Sequence, residues 1–502
     1  MFVRKKKNKS GTISIQVIDK SSGKYKLVKT IGSSSDTQEI DLLYKKGEEY
    51  IRTYKGQQIM LFPENDFNTT VANSIQSINT EGINLLLGRI YSDIGFNTIG
   101  NDLLKQLVLI RLSHPASKLK TTQYLKRYFS IDIKEDKIYR YLDKIYTQHK
   151  DAIQQISFNH TLKILGGIIN VVFYDVTTLY FQIDDEDEIR KRGFSKEGKH
   201  HNPQIILGLL VSVGGYPLAY EIHQGNKYEG HTMLPIVDAF KSRYNIKRLV
   251  VIADSGLLTK NNINDLQNKG YEFILGARIK NETTEVKKKI LALKLLNGQS
   301  KIITKDDGFK IIIGYSDKRA KKDKYNRERG LQKLQGKVKS GRLTKSSINN
   351  RGYNKYLCMK GEVNISIDIK KFEQDAAWDG LKGYITNTYL TKDDIIENYS
   401  HLWKIEKAFR VSKHDLKIRP IYHRLQKRIE AHITINFMAY KLYKELERQL
   451  KLKNANISTE QAIEIAKTIY SIQITNPINN NTSKKILLLN DEQKFLAKLF
   501  DF

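Results

Sequence analysis

From about residue 165 three β-branched or apolar runs follow one another, GGIINVVFYDVTTLYF, PQIILGLLVSVGG and YPLAYEIHQG, divided by glycine and proline signals. Runs so bounded read as strands, and three in succession predict an antiparallel meander. HTMLPIVDAFKSRYN then has helical spacing, RLVVIADSG is a short apolar run of the buried-strand kind, TKNNINDLQNKG returns to helix and YEFILGAR to strand. Antiparallel strands followed by alternating helix and strand predict a mixed α/β sheet.

Upstream, ISIQVID and KYKLVKTIG flank the turn signal SSGK, so residues 1–62 predict a small β-rich module. Residues 63–160 predict a helical region. Its stretch 82–112 is leucine-rich, and two amphipathic stretches follow, Leu119 to Tyr128 and Asp136 to Ile145, joined by a short connection. The pair suits a helix-turn-helix reader with Lys137, Arg140 and Lys144 facing a groove, and equally a plain hairpin whose lysines are solvated.

Between Arg278 and Trp378 the rhythm is lost. KIITK, FKIIIGYS and NISIDIK are short strand candidates, and Lys318 to Lys345 holds 12 Lys or Arg against two acids. That segment is either a helix with a charged face or a loop that orders on a phosphate backbone. Thr391 is placed to cap a helix, with Asp393 and Asp394 in its first turn and Ile395, Ile396, Tyr399 and Leu402 at core-facing spacing. This predicts a helix running on through Glu406. Residues 423–451 predict a long amphipathic helix and 451–502 a helical C-terminal extension, and no internal repeat is present.

The 85 Lys and Arg against 54 acids, a formal charge of +31, predict attraction to a polyanion, with nucleic acid first. Richness in Lys, Asn and Ile, the usage of an AT-rich genome, is a second source of some of that charge. Cys358 is the single cysteine, which excludes an intrachain disulfide and a cysteine-built zinc site and fits a reducing compartment. The basic start MFVRKKKNKSG has no apolar segment behind it, and no apolar run reaches membrane length. The expectation is a soluble, intracellular protein with no membrane partner.

Three carboxylates stand out. Asp175 lies within VVFYDVTTLYF, where a buried charge costs several kcal/mol unless something pairs with it: a metal, Thr177 or Thr178, or a salt bridge. Asp254 ends the strand LVVIAD before Ser255-Gly256, either at the strand edge where open sheets keep ligand sites or as a turn aspartate. Glu406 lies in ENYSHLWKIEKAFRVSKHDLKIRPIYH, where at helical pitch Tyr399, Trp403, Phe409, Arg410 and Lys413 share its broad face. An ion pair with Arg410 is the plainer account. Rings beside cations suit nucleic-acid bases and phosphates. Three hard-oxygen ligands suggest Mg²⁺, and two such ions roughly 4 Å apart serve phosphodiester chemistry. His200, His201, His223 and His231 lack a metal-ligand spacing and read as surface or phosphate-contacting residues, and the loop Arg190 to His201 as a phosphate contact or a solvated loop.

The stretches YDVTTLYF, GFSKEGKHHNPQIILGLLVSVGGYPLAYEIHQGN, VVIADSG, WDGLKGYITN, YSHLWKIEKAFRVSK and RPIYH, spread over most of residues 165–440, together resemble the DDE transposases of bacterial insertion sequences. The resemblance is to the superfamily named after insertion sequence four, with a ribonuclease H-like catalytic core. Its signature sets Tyr, two residues, Arg, three residues, Glu, six residues, Lys. Tyr399, Glu406 and Lys413 match it, Leu402 stands in place of the Arg, and Arg410 one turn beyond Glu406 is the natural substitute.

The resemblance implies a mixed α/β (α+β) protein with a ribonuclease H-like catalytic core in residues 161–278 and 381–450, interrupted by a β-rich insertion at 279–380. It implies Asp175, Asp254 and Glu406 as catalytic metal ligands, two Mg²⁺ ions with Mn²⁺ able to substitute, and cut-and-paste transposition in which cleavage at the element's ends frees a 3′-hydroxyl for strand transfer. Excision through a terminal hairpin would use Trp403, or else Trp378, to stack a displaced base. Double-stranded DNA is the implied partner, as terminal inverted repeats and target, bound by a homodimer in the synaptic complex, in a bacterial cytoplasm at the nucleoid. Tyr399, Trp403, Arg410 and Lys413, together with Lys318, Arg319, Lys321, Lys322 and Lys324 and the N-terminal Lys137, Arg140 and Lys144, are the expected DNA contacts. A hydrolytic nuclease of the same fold, or an inert DNA-binding descendant, are the alternatives.

Overall fold

The computed structural model of the protein describes residues 1–54, 72–195, 198–257, 259–341, 343–349, 352–360, 364–476 and 480–502. The expected boundary between residues 62 and 63 lies outside them, as do Lys196 and Glu197 of the loop Arg190 to His201. The chain divides into two compact units, Met1–Ile78 with Ile472–Lys485, and Asn79–Ser471 with Ile486–Phe502.

In the smaller unit, β1 (Phe2–Lys7), β2 (Ile13–Asp19) and β3 (Lys26–Ser34) form an antiparallel sheet. ISIQVID is β2, with Ile15 and Val17 in the core. The basic stretch FVRKKK, read only as charge, is an edge strand paired to β2. A helix over Thr37–Thr53, capped by Asp36, joins the strands of this β-rich module. It covers the sheet with the buried Ile40 and Gly47, where a Cβ would lie 3.0 Å from Val3. A second sheet orders the strands Thr482–Leu487, Tyr470–Thr475 and β4 (Ile75–Thr80). The C-terminal stretch is therefore not wholly helical: this hairpin separates helices Thr459–Lys467 and Asp491–Phe500.

The larger unit is built on eight strands. β5 (Val171–Tyr180), β6 (Gln204–Ser212) and β7 (Pro217–Gln224) form the antiparallel meander. β8 (Val250–Ala253) lies parallel to β5, and β9 (Glu272–Ala277) parallel to β8, each reached through a helix, Met233–Arg243 and Lys260–Asn268. β10 (Ser300–Thr304) and β11 (Lys310–Tyr315) complete the edge beyond β14 (Leu381–Thr386). The order is β10-β11-β14-β9-β8-β5-β6-β7. KIITK and FKIIIGYS of the segment 279–380 thus belong to the main sheet. The rest of that segment includes the short helix Thr284–Leu291 and a cluster of the helices Asp317–Lys339 and Ile369–Asp375 with a hairpin of β12 (Leu357–Lys360) and β13 (Asn364–Ile367), around a small core of Leu334, Tyr356, Leu357 and Phe372.

Alternation along β5 sends Val172, Tyr174 and Val176 into one core and Phe173 and Leu179 into the other. Both faces of the sheet are covered, which is why its strands read as near-continuous apolar runs. The face carrying Phe173 is covered by the helix Gln426–Leu452, buried all round from Ile429 to Leu446. This corrects the amphipathic reading. Two of its buried charges find partners: the Lys441 ammonium donates to the Ser157 carbonyl at 3.0 Å, and Glu445 pairs with Arg448 at 2.6 Å. Helices Gly82–Ile94 and Asp102–Ser113 pack on it, separated where Gly95 takes a φ of 98°.

Candidate active site

Tyr174 of β5 stands opposite Ala253 of β8 in the parallel register, so Asp175 follows on β5 and Asp254 comes directly after the end of β8. Asp175 is half-buried, on the face of β5 that carries Phe173 and Leu179, and its Oδ1 accepts the Val176 amide at 2.8 Å. Asp254 is exposed at the strand's end. Its Oδ1 accepts the Ser255 amide at 2.7 Å and the Tyr399 hydroxyl at 3.2 Å. Arg278, just beyond β9, holds the following turn by donating to the carbonyls of Ser255 and Gly256.

Tyr399 reaches Asp254 by passing over Gly276, where a Cβ would lie 2.6 Å from the hydroxyl and 3.0 Å from the Ser255 nitrogen. Its ring lies 4.5 Å from that of Tyr384, and the Lys382 ammonium sits 4.7 Å from the Tyr399 centroid and 5.2 Å from the Tyr384 centroid. Burial, then the charge of Asp254, hold the Tyr399 hydroxyl far above its ordinary range, so it stays a donor. Burial, then Arg319, lower the Lys382 ammonium, while Asp254 and Glu406 pull it back up. Lys382 therefore feels both acids. Sequence reasoning passed over it, Tyr384 and Gly276, although WDGLKGYITN and YEFILGAR carried them; a lysine between glycines on a strand gives no signal until its neighbours are known.

The helix expected to run through Glu406 is interrupted. Thr391 caps Lys392–Ser400 with a capping box to Asp394, as its sequence predicts. The chain then tightens, with the Leu402 amide bonded to Tyr399 and that of Ile405 to Leu402, three residues back, before Trp403–Arg410 resumes. Pitch is not maintained across Ser400 to Leu402, so the rings do not share one face. Tyr399 and Phe409 are buried, whereas Trp403 is 54% exposed. Ile405, Ala408 and Phe409 seat the Glu406 helix in the same core as Phe173, and the helix packs on β5. Glu406 and Arg410 are exposed, and among the described residues Glu406 makes no ion pair, which removes the pair with Arg410 as its explanation. Lys413 lies beyond, in a π turn over Val411–Asp415.

Beside Asp254 a cleft of about 530 Å³ runs from Ser255 and Arg278 past Lys382 to Arg319, Trp378 and Tyr353. Arg319 belongs to Asp317–Lys339, so the basic segment is a helix over most of its length. Lys318, Arg319, Lys321, Lys322 and Lys324 are all exposed. Arg319 pairs with Asp323 at 3.4 Å and Lys324 with Glu328 at 3.9 Å. Trp403 borders a different cavity, of about 430 Å³, with Lys404, Lys407, Lys444 and Lys451. The two amphipathic stretches are helices Lys118–Phe129 and Glu135–Lys144. Lys137, Arg140 and Lys144 share the exposed face of the second, opposite the buried Ile138, Tyr141 and Leu142. His223 is not a surface residue: it is buried on β7, and desolvation lowers it to about 4. The loop after Arg190 is internally tied, Arg190 to Asp187 at 2.7 Å and Arg192 to the His201 carbonyl at 2.9 Å.

Among the described residues no three His, Cys, Asp or Glu side chains stand close enough together to hold a metal ion. The donor chemistry of Asp175, Asp254 and Glu406 nonetheless fits a hard cation: all are carboxylates, and Asp254 Oδ2 and the Glu406 carboxylate have no hydrogen-bond partner among the described residues. No helix of the described residues is long and apolar enough to cross a membrane.

Residues 167–442, more than half of the chain, match the family model described as a transposase DDE domain. No curated protein matches the sequence. Among solved structures the chain is similar to "Cryo-EM structure of piggyBac transposase synaptic complex with hairpin DNA (SNHP)", at 8% identity over 80% of this chain and 79% of that one, with a TM-score of 0.39.

Proposed function

The chain belongs to the transposase DDE domain family, and from that premise we propose that it cleaves DNA at the ends of an insertion sequence and joins the freed 3′-hydroxyl to a target, by a cut-and-paste route of the insertion-sequence-four kind. The observation that carries the reading is the register of β5 and β8, which sets Asp175 and Asp254 side by side, with the Glu406 helix on the same face as Asp175. Asp175, Asp254 and Glu406 would hold two Mg²⁺ ions, or Mn²⁺ in their place. Bound there, such cations would acidify an attacking water or hydroxyl and take up charge on the leaving oxygen.

The protein's own groups do the positioning. Tyr399 and Ser255 occupy one oxygen of Asp254 and leave the other for a cation. Lys382, Arg278 and Arg319 line the cleft beside it and suit the phosphates of a DNA end, while Trp378 in the same cleft is better placed than Trp403 to stack a base displaced from that end. Lys318, Lys321, Lys322, Lys137, Arg140 and Lys144 extend the cationic surface for duplex DNA, Arg410 and Lys413 flank Glu406, and two protomers would bring two ends together.

The test uses Asp175→Asn, Asp254→Asn and Glu406→Gln on labelled terminal-repeat DNA with Mg²⁺. Each amide is nearly isosteric but lacks the anionic oxygen, so cleavage and joining should vanish while DNA binding, carried by cations, persists. Cleavage within about tenfold of wild type in any variant removes that residue from the site. Cleavage by wild type without joined product would make the protein a nuclease, and binding with neither an inert descendant.

A further inference from the structure

A second cavity, of about 270 Å³ and apart from the cleft beside Asp254, is lined by four basic side chains, Arg111, Lys118, Lys417 and Arg419. Lys118 and Arg111 are only 5% and 4% exposed. Arg111 spends two of its nitrogens on the carbonyls of Leu416 and Ala116, at 3.4 and 3.1 Å, and its buried Nε has no partner. Lys118 makes no hydrogen bond or ion pair among the described residues. His432, also buried, bonds through Nε2 to the Ile418 carbonyl at 2.8 Å and leaves Nδ1 unpartnered, and His423 lies against it with ring centroids 5.6 Å apart. Lys417 and Arg419 add two more cations to the lining. Glu135 is the one carboxylate among the lining residues.

Burying one unpaired charge costs several kcal/mol, and two beside each other cost more. Proteins resolve this by lowering the pKa of the group or by binding a counter-ion. Burial and Arg111 do push the Lys118 ammonium down, and desolvation with the same two cations pushes down both histidines. Burial lowers Arg111 too, but only to about 10, so its guanidinium keeps its proton at neutral pH. The helix Lys118–Phe129 also begins here, capped by Ser117, and contributes the positive end of its dipole. Several donors converging from separate elements match an anion with several oxygens better than a halide.

We propose that this pocket is an anion site that binds a phosphate group, held by Arg111 and Lys118 with His423 and His432 beside them. The phosphate comes either from a DNA backbone, since the pocket lies at the start of the first of the two paired helices, or from a free phosphate.

Thermal unfolding of the full chain and of Lys118→Met, in inorganic phosphate or in chloride at matched ionic strength, tests it. Wild type should gain stability steadily with the logarithm of phosphate concentration and not with chloride. Lys118→Met should start more stable than wild type in phosphate-free buffer, because a buried amine with no hydrogen bond among the described residues is replaced by an apolar chain, and gain little from phosphate. A wild type indifferent to phosphate, or a variant that is less stable but equally responsive, overturns the proposal. If the variant does not fold, ³¹P line broadening of inorganic phosphate by wild-type protein reads the same binding directly, and its absence counts against the site. The source is read from DNA binding: for a backbone phosphate, Lys118→Met lowers the log-log salt slope by about 0.9, and for a free phosphate it leaves the slope unchanged.

Discussion

The Tyr399 hydroxyl donates to Asp254 Oδ1 at 3.2 Å, so the tyrosine that opens the glutamate signature braces an aspartate from another part of the chain. It can do so only because residue 276 is glycine. Tyr399→Phe removes the donor and Gly276→Ala pushes the ring away, so each should slow Mg²⁺-dependent cleavage, by roughly the 1–3 kcal/mol of a hydrogen bond to a charged group. Acting on one contact, they should not add in the double variant. Full additivity in cleavage rate would show that Gly276 serves something other than the tyrosine.

Trp403→Ala should leave thermal stability nearly unchanged, within about 0.5 kcal/mol, because the indole is 54% exposed and not part of the core. Any loss should fall on DNA binding through the cavity it shares with Lys404 and Lys407. Trp378→Ala should instead weaken handling of an unpaired terminal base by roughly 1–3 kcal/mol. Comparing nicking with hairpin formation on the same preparations separates the two tryptophans; equal effects from both would dismiss the assignment of the base to the cleft.

Neutralising Lys318, Lys321 and Lys322 should flatten the salt dependence of DNA binding, the log-log slope falling by about 0.9 for each phosphate that is no longer neutralised. These three have no ion pair among the described residues, whereas Arg319 and Lys324 are each engaged with an acid one turn on. The slope, measured by fluorescence anisotropy over a salt series, should therefore fall more for those three than for Lys324→Gln. A slope that does not move would make the helix a solvated face.

In phosphate-free buffer the protein should lose stability as pH falls below about 6.5. Burial, with Lys118, Arg111 and Arg428 nearby, lowers His423 to about 3, so the folded state refuses a proton that the unfolded chain accepts. The contribution is present in full above the unfolded pKa and is lost towards the folded one, with a slope of up to about 1.4 kcal/mol per pH unit. Urea unfolding between about pH 4.5 and 7 should show a shallower dependence for His423→Gln than for wild type; parallel curves would mean that His423 is protonated in the fold.

Much of the architecture was legible in local pattern. The meander, both later strands and the helices between them follow from runs such as VVFYDVTTLYF and LVVIAD, because burial on both faces forces apolar residues into every position. The start of the Glu406 region was equally plain, since a capping box is satisfied within four residues. The order of the strands was not legible. Two strands from the segment 279–380 join the main sheet, and the N-terminal helix and C-terminal hairpin went unread, because propensity does not say which partner buries an element.

At the candidate site the sequence by itself nominated Asp175, Asp254 and Glu406, each from its own surroundings. Only the tertiary structure decided what stands beside them. Lys382 and Tyr384 come from a strand two places away from β8, and Gly276 matters through the absence of a side chain, a property visible only when Tyr399 is seen to occupy its space. The break at Ser400 to Leu402 turned Tyr399 inward and Trp403 outward, against the simple pitch, because packing of Ile405 and Phe409 on β5 outweighs the continuation of one straight helix. Likewise the buried cations Arg111 and Lys118 look like ordinary basic residues in the sequence; their burial, with no acid paired to either among the described residues, is a property of the fold.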